Sequence, residues 1–146
     1  MSVDEKVSRS LIETLQNGQV GFLRASERLE EHGRHDLAQE FASFSKERAT
    51  LADQLAAMAG EYGDEIQERS TLPGAAHRGW MAIKDLFSGH DVDGVLKASL
   101  QGEDHAVSDY ESALGEDISD GLRDLVTRQS AEVTATRDRV KSLVAK

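Results

Sequence analysis

The chain contains no cysteine. That excludes disulfides, thiolate nucleophiles and cysteine-held zinc or iron–sulfur centres. Proline occurs once, and aromatic residues make up only 5% of the 146 positions, which is poor material for strands. No apolar run approaches the roughly 20 residues that span a bilayer. The opening stretch, MSVDEKVSRSL, lacks the basic head and apolar run of a secretory leader, so the expected location is the cytoplasm. Basic residues are also scarce, 17 against 27 acidic ones, for a net charge of −10. A phosphate backbone or an anionic membrane surface would be repelled, so neither nucleic acid nor membrane is an expected partner.

What remains is helical composition, in an amount suited to one domain spanning residues 1–146. The first helix is expected over about 4–31, with an apolar seam of Leu11, Leu15, Gly18, Phe22, Ser26 and Leu29 at helical spacing. EHGRHD is a short turn, with Gly33 as the stop and Asp36 as the next N-cap. The second helix is expected over about 37–59, its seam running Leu37, Phe41, Phe44, Arg48, Leu51, Leu55 and Met58. A stretch of different texture follows, carrying the one proline. There, STLP opens a short helix at about 74–87, with Pro73 at its first position. Helices over about 92–114 and 120–144 complete the chain, the last capped by Ser119.

These elements form two tight hairpins joined by one connection of some thirty residues. Such a connection must travel the length of the bundle, so the second helix and the 92–114 helix run parallel. The expected fold is therefore all-α: a four-helix bundle of two antiparallel hairpins with a long crossover containing a short helix. That is the ferritin-like arrangement.

Three seams carry a polar residue where an apolar one belongs. The 92–114 seam reads Leu96, Leu100, Glu103, Val107, Tyr110 and Leu114. The second helix contributes Arg48, and the last helix Gln129. Antiparallel pairing brings all three near mid-bundle, with Gly18 leaving room for the arginine, Gln19 flanking it and Glu103 meeting Gln129. A buried charge without a partner is rare, so the expected reading is a structural Arg48–Glu103 ion pair within a polar layer of Arg48, Glu103, Gln129 and Gln19. The competing readings are a metal-binding or catalytic Glu103, or a Glu103 turned to solvent.

A dinuclear iron or manganese site on this fold needs a glutamate on each of two helices and Glu-x-x-His on the other two. None of the five histidines, His32, His35, His77, His90 and His105, has a glutamate three residues before it. Only a carboxylate set, Glu47, Glu103 and Glu132, could hold iron or manganese, and Arg48 would repel a cation there. No cofactor is therefore expected. His77 and Trp80, on the crossover helix, mark a possible small-molecule pocket. No nucleophile–base pair is visible, so catalysis is not expected.

The segments LIETLQNGQVGF (11–22), HRGW (77–80), GEDHAVSDYESAL (102–114), LVTRQSAEV (125–133) and RDRV (137–140) carry a resemblance. Together the chain resembles an uncharacterised bacterial ferritin-like family of four-helix-bundle proteins, a domain of unknown function related to rubrerythrins. The resemblance implies the ferritin-like fold and no established activity. Arg137 stands where some members carry a histidine, and Gln19 where some carry an acid, which further weakens a metal site. The expected role is structural or partner-binding, in a stress-related setting, with a homodimer or another protein as partner. The alternatives are a carboxylate-rich oxidase or storage protein and a small-molecule carrier.

Overall fold

The structure is a computed structural model that describes residues 2–59 and 91–144. Within them the chain forms four α-helices: α1 (Val3–Glu31), α2 (His35–Ala59), α3 (Val92–Leu114) and α4 (Asp120–Val144). The described residues contain no strand. The expected crossover helix over 74–87, with Pro73, His77 and Trp80, lies outside the described residues.

Local chemistry sets the helix ends. The Ser2 hydroxyl accepts the Glu5 N–H at 3.1 Å and opens α1. Asp91 takes the Gly94 N–H at 2.9 Å and opens α3. Ser119 caps α4 through the Leu122 N–H. Each side chain satisfies an amide that has no partner inside its helix.

At the end of α1, Gly33 takes φ +78°. The Arg34 N–H bonds the Leu29 carbonyl at 2.9 Å, and the Gly33 N–H bonds Glu30 at 3.0 Å. This 6→1 and 5→2 pair is a Schellman stop. It closes so tightly that α2 starts at His35, two residues earlier than the sequence suggests. The Arg34 carbonyl already accepts the Ala38 N–H at 2.9 Å. Asp36 is therefore not the N-cap. It sits in the first turn of α2, where the Arg34 guanidinium and then the Leu37 N–H hold its carboxyl below the usual carboxylate range.

Packing divides the core in two. One apolar cluster joins Leu11 and Leu15 of α1, Leu51 and Leu55 of α2, Ala106 and Tyr110 of α3, and Leu122 and Val126 of α4. The other joins Phe22 and Leu29, Leu37 and Phe41, Val95 and Leu96, and Val140. The first half of α1 thus shares its end of the bundle with the second halves of α2 and α3 and the first half of α4. It follows that α1 and α4 run one way and α2 and α3 the other. Ala59, at the end of α2, and Val92, at the start of α3, belong to opposite clusters. The two hairpins meet chiefly along α1 and α3, while α2 and α4 touch sparsely.

On α3 the buried face is rotated from the expected stripe. Val95, Ser99, Gly102, Ala106 and Ala113 are buried beside Leu96, Glu103, Val107 and Tyr110, while Leu100 and Leu114 are only half-buried. Small residues let α3 approach its neighbours closely, so they take the centre of the contact from the larger leucines.

Replacing Gly33 by alanine forces a Cβ into a left-handed conformation. The variant should lose about 1–2 kcal/mol of stability, measured by urea unfolding, with helix content unchanged.

Candidate functional site

Between the two apolar clusters lies a polar layer. Arg48 of α2 and Glu103 of α3 are both fully buried, at 1% and 0% exposure. They stand on diagonally opposed helices and meet across the centre of the bundle. The Arg48 Nη1 donates to Glu103 Oε2 at 2.9 Å, and Nη2 donates to Oε1. Both carboxylate oxygens are engaged by one planar fork, the strongest geometry for this pairing.

Gly18 makes the arginine possible. A Cβ built on Gly18 would lie 3.2 Å from Arg48 Nη1 and 3.5 Å from its Cγ. A glycine in mid-helix costs roughly 1 kcal/mol against alanine, and here it opens the notch the guanidinium fills. The guanidinium carbon also stands 5.2 Å from the centroid of the Phe22 ring, within range of a cation–π contact. Phe22 in turn packs edge-on against Phe41 and Phe44, at 5.6 and 5.3 Å between centroids.

Gln129 of α4 is buried in the same region, with a different set of partners. Its amide donates to the Leu51 carbonyl at 3.0 Å and to Gln54 at 3.1 Å. Its oxygen accepts the Tyr110 hydroxyl at 2.8 Å. With both amide protons spent, Gln129 does not donate to Glu103, and the expected Glu103–Gln129 contact is replaced by a Tyr110–Gln129–Leu51 bridge. Burial pushes the Tyr110 hydroxyl well above the usual phenol range, so it remains a neutral donor. Gln19 is half-buried, and its backbone carbonyl accepts the Ser45 hydroxyl at 2.7 Å.

The carboxylates proposed as metal ligands do not gather. Glu47 is half-buried and Glu132 exposed, while Glu103 is turned to Arg48. Among the described residues no group of three histidine, aspartate or glutamate side chains could hold a metal ion. Burial raises the Glu47 carboxyl above its usual range; Arg48 lowers it and Glu132 raises it. His105 is exposed, and His35 pairs with Glu30 in the α1–α2 turn. His77 and Trp80 lie outside the described residues.

Sequence reasoning missed a half-open cleft of about 260 Å³ between the start of α1 and the end of α3. Lys6, Ser10, Asp109, Ser112 and Glu116 surround an apolar floor of Val7, Leu11 and Ala113. Beside it, Thr14 donates to Asp109 at 2.7 Å. Nothing in the spacing of either helix marks this cleft, because it arises only when residues about a hundred positions apart are set side by side.

Comparison with known proteins adds a family. Residues 6–116 match a family described as a domain of unknown function, DUF2383. The matched region takes in Gly18, Arg48 and Glu103 and stops before α4. No curated protein and no solved structure matches the chain.

Two predictions arise from this layer. Glu103→Ala strands a buried guanidinium and should destabilise the protein by about 3–5 kcal/mol, read from chemical denaturation. A loss below about 0.5 kcal/mol is what an ordinary surface position shows and would contradict the buried pair. For Glu47 the folded carboxyl titrates above its unfolded value, so the folded state favours the protonated form. That preference is fully present below the unfolded pKa and is lost as pH rises through the folded one. Glu47→Gln should therefore raise Tm at pH 7 relative to the parent, and the gain should vanish by about pH 4, near the reference glutamate value.

Proposed function

The chain belongs to the DUF2383 family, and on that premise we propose that it is a ferritin-like bundle with a non-catalytic role. In this reading the mid-bundle layer, where a ferritin-like metalloprotein builds its ligand set, is occupied by the Arg48–Glu103 pair and the Gln129 bridge. The protein then works as a structural or partner-binding element, in a stress-related setting, through its acidic surface and a homodimeric or heterologous contact.

The observation that carries this reading is the engagement of both Glu103 oxygens by one guanidinium. The guanidinium holds the carboxylate in place and supplies its counter-charge, and a divalent cation placed beside a buried Arg48 meets repulsion that the low-dielectric core does little to screen. The donor set is also incomplete. A dinuclear carboxylate site on this fold draws ligands from all four helices, two of them through Glu-x-x-His, and this sequence has no Glu-x-x-His. The residues of the layer do not fit an iron or manganese pair.

The helix directions support the ferritin-like part of the proposal. Parallel α2 and α3, with α1 packed against both α2 and α3, are what two hairpins on either side of a long crossover produce.

The test is elemental analysis of protein expressed in iron- and manganese-rich medium, followed by titration of the metal-free protein with Fe(II), Mn(II) and Zn(II). The expected result is substoichiometric metal and no shift of Tm on titration. Stoichiometric iron or manganese would overturn the reading, because a ligand that binds the native state must raise its stability.

A further inference from the structure

We infer that the Arg48–Glu103 pair sets the register between the two hairpins: it decides how far α3–α4 slides along α1–α2. The inference rests on the structural reading of the central layer and deepens it, because it assigns the pair a conformational task rather than general stabilisation.

The argument begins with the contact the pair bridges. The hairpins meet chiefly along α1 and α3. On α3 the buried side chains include Ala98, Gly102 and Ala106, four residues apart. A slide of one helical turn, about 5.4 Å, maps each small residue onto the next. α1 buries Gly18, Gly21 and Ala25. Small residues at a one-turn spacing on α3 resist such a slide less than large interlocking side chains would, so this stretch of the contact discriminates weakly between registers.

The remaining links between hairpins are also tolerant. Arg139–Glu40 and the Ser119 N–H to Asp4 are exposed, and water replaces such bonds at little cost. Gln129 donates to a helix carbonyl at Leu51, which every helical residue carries, and to the side chain of Gln54, which is exposed and exchangeable with water. The Thr14–Asp109 bond is only partly buried.

Arg48 and Glu103 differ in kind. Each is the single charged residue in its stretch of buried face. A slide of one turn would pull the guanidinium and the carboxylate apart inside the core, breaking a two-pronged contact between buried charges, at a cost that an exposed pair does not carry.

The chain has no cysteine, so introduced pairs report register directly. T14C/D109C reads the native register, and T14C/H105C and T14C/S112C read slides of about one turn in either direction. Each pair is placed in the full-length parent, in R48M/E103L, which fills the layer with apolar side chains, and in the near-isosteric E103Q, and disulfide formation is timed under mild oxidation. In the parent, the native pair should close at least about tenfold faster than either displaced pair, as expected when competing states are minor. In R48M/E103L, with helix content retained, that preference should fall to near unity. E103Q should also lose preference, and it decides the matter if the double variant fails to fold. A tenfold preference kept in R48M/E103L, or in E103Q where the double variant does not fold, would overturn the inference. Metal binding plays no part in this readout, so a register result and a failure of the proposed non-metal role are separable.

Discussion

A single guanidinium–carboxylate contact organises the middle of this bundle. Arg48 and Glu103 stand on helices that face each other diagonally, and their side chains cross the whole core to meet. Removing two charges from water costs several kcal/mol each, and the fork geometry must recover that cost. The surrounding residues make the geometry attainable. Gly18 gives the guanidinium room, and Phe22 lies 5.2 Å from it. Ser45 and Ser99, beside the layer, turn their hydroxyls to the Gln19 and Val95 carbonyls. Two apolar clusters, one at each end, keep water away.

The helix directions make this arrangement consistent. With α1 and α4 running one way and α2 and α3 the other, the mid-points of all four helices fall at one level. Residues 48, 103 and 129 lie near those mid-points, so they converge without bending any helix. The same geometry accounts for the cleft at the end of the bundle, where the first turns of α1 lie along the last turns of α3. Where α2 faces α4 the helices touch sparsely, and that side is bridged by long polar side chains, Gln129 to Leu51 and Arg139 to Glu40.

Much of this was legible beforehand. The α1 seam could be read because its apolar and small residues recur at 3.6-residue spacing. Gly33 could be read because few other residues tolerate φ +78°. Arg48 and Glu103 stood out because charge interrupts two otherwise apolar stripes. The misreadings have local causes. Asp36 has the chemistry of an N-cap, but the Schellman stop closes in fewer turn residues than a capping aspartate requires. Leu100 and Leu114 have the hydrophobicity of core residues, yet α3 buries its smaller side chains because close approach between helices favours small volume over large apolar area.

By itself, then, the sequence determined the four helices, the Gly33 stop, the Ser119 cap, the hairpin pairings and the need for a buried charge to find an opposite one. These follow from periodicity, turn chemistry and the cost of desolvating an ion, all of which act locally or within one helix pair. The partner of each polar group was decided by the tertiary structure alone. Gln129 turned to Tyr110 and Leu51 rather than Glu103, and residues 6–11 and 109–116 came together as a cleft. Rotation of a helix about its axis by a fraction of a turn decides such contacts. That rotation is set by the volumes of side chains on three neighbouring helices at once, which no single spacing encodes.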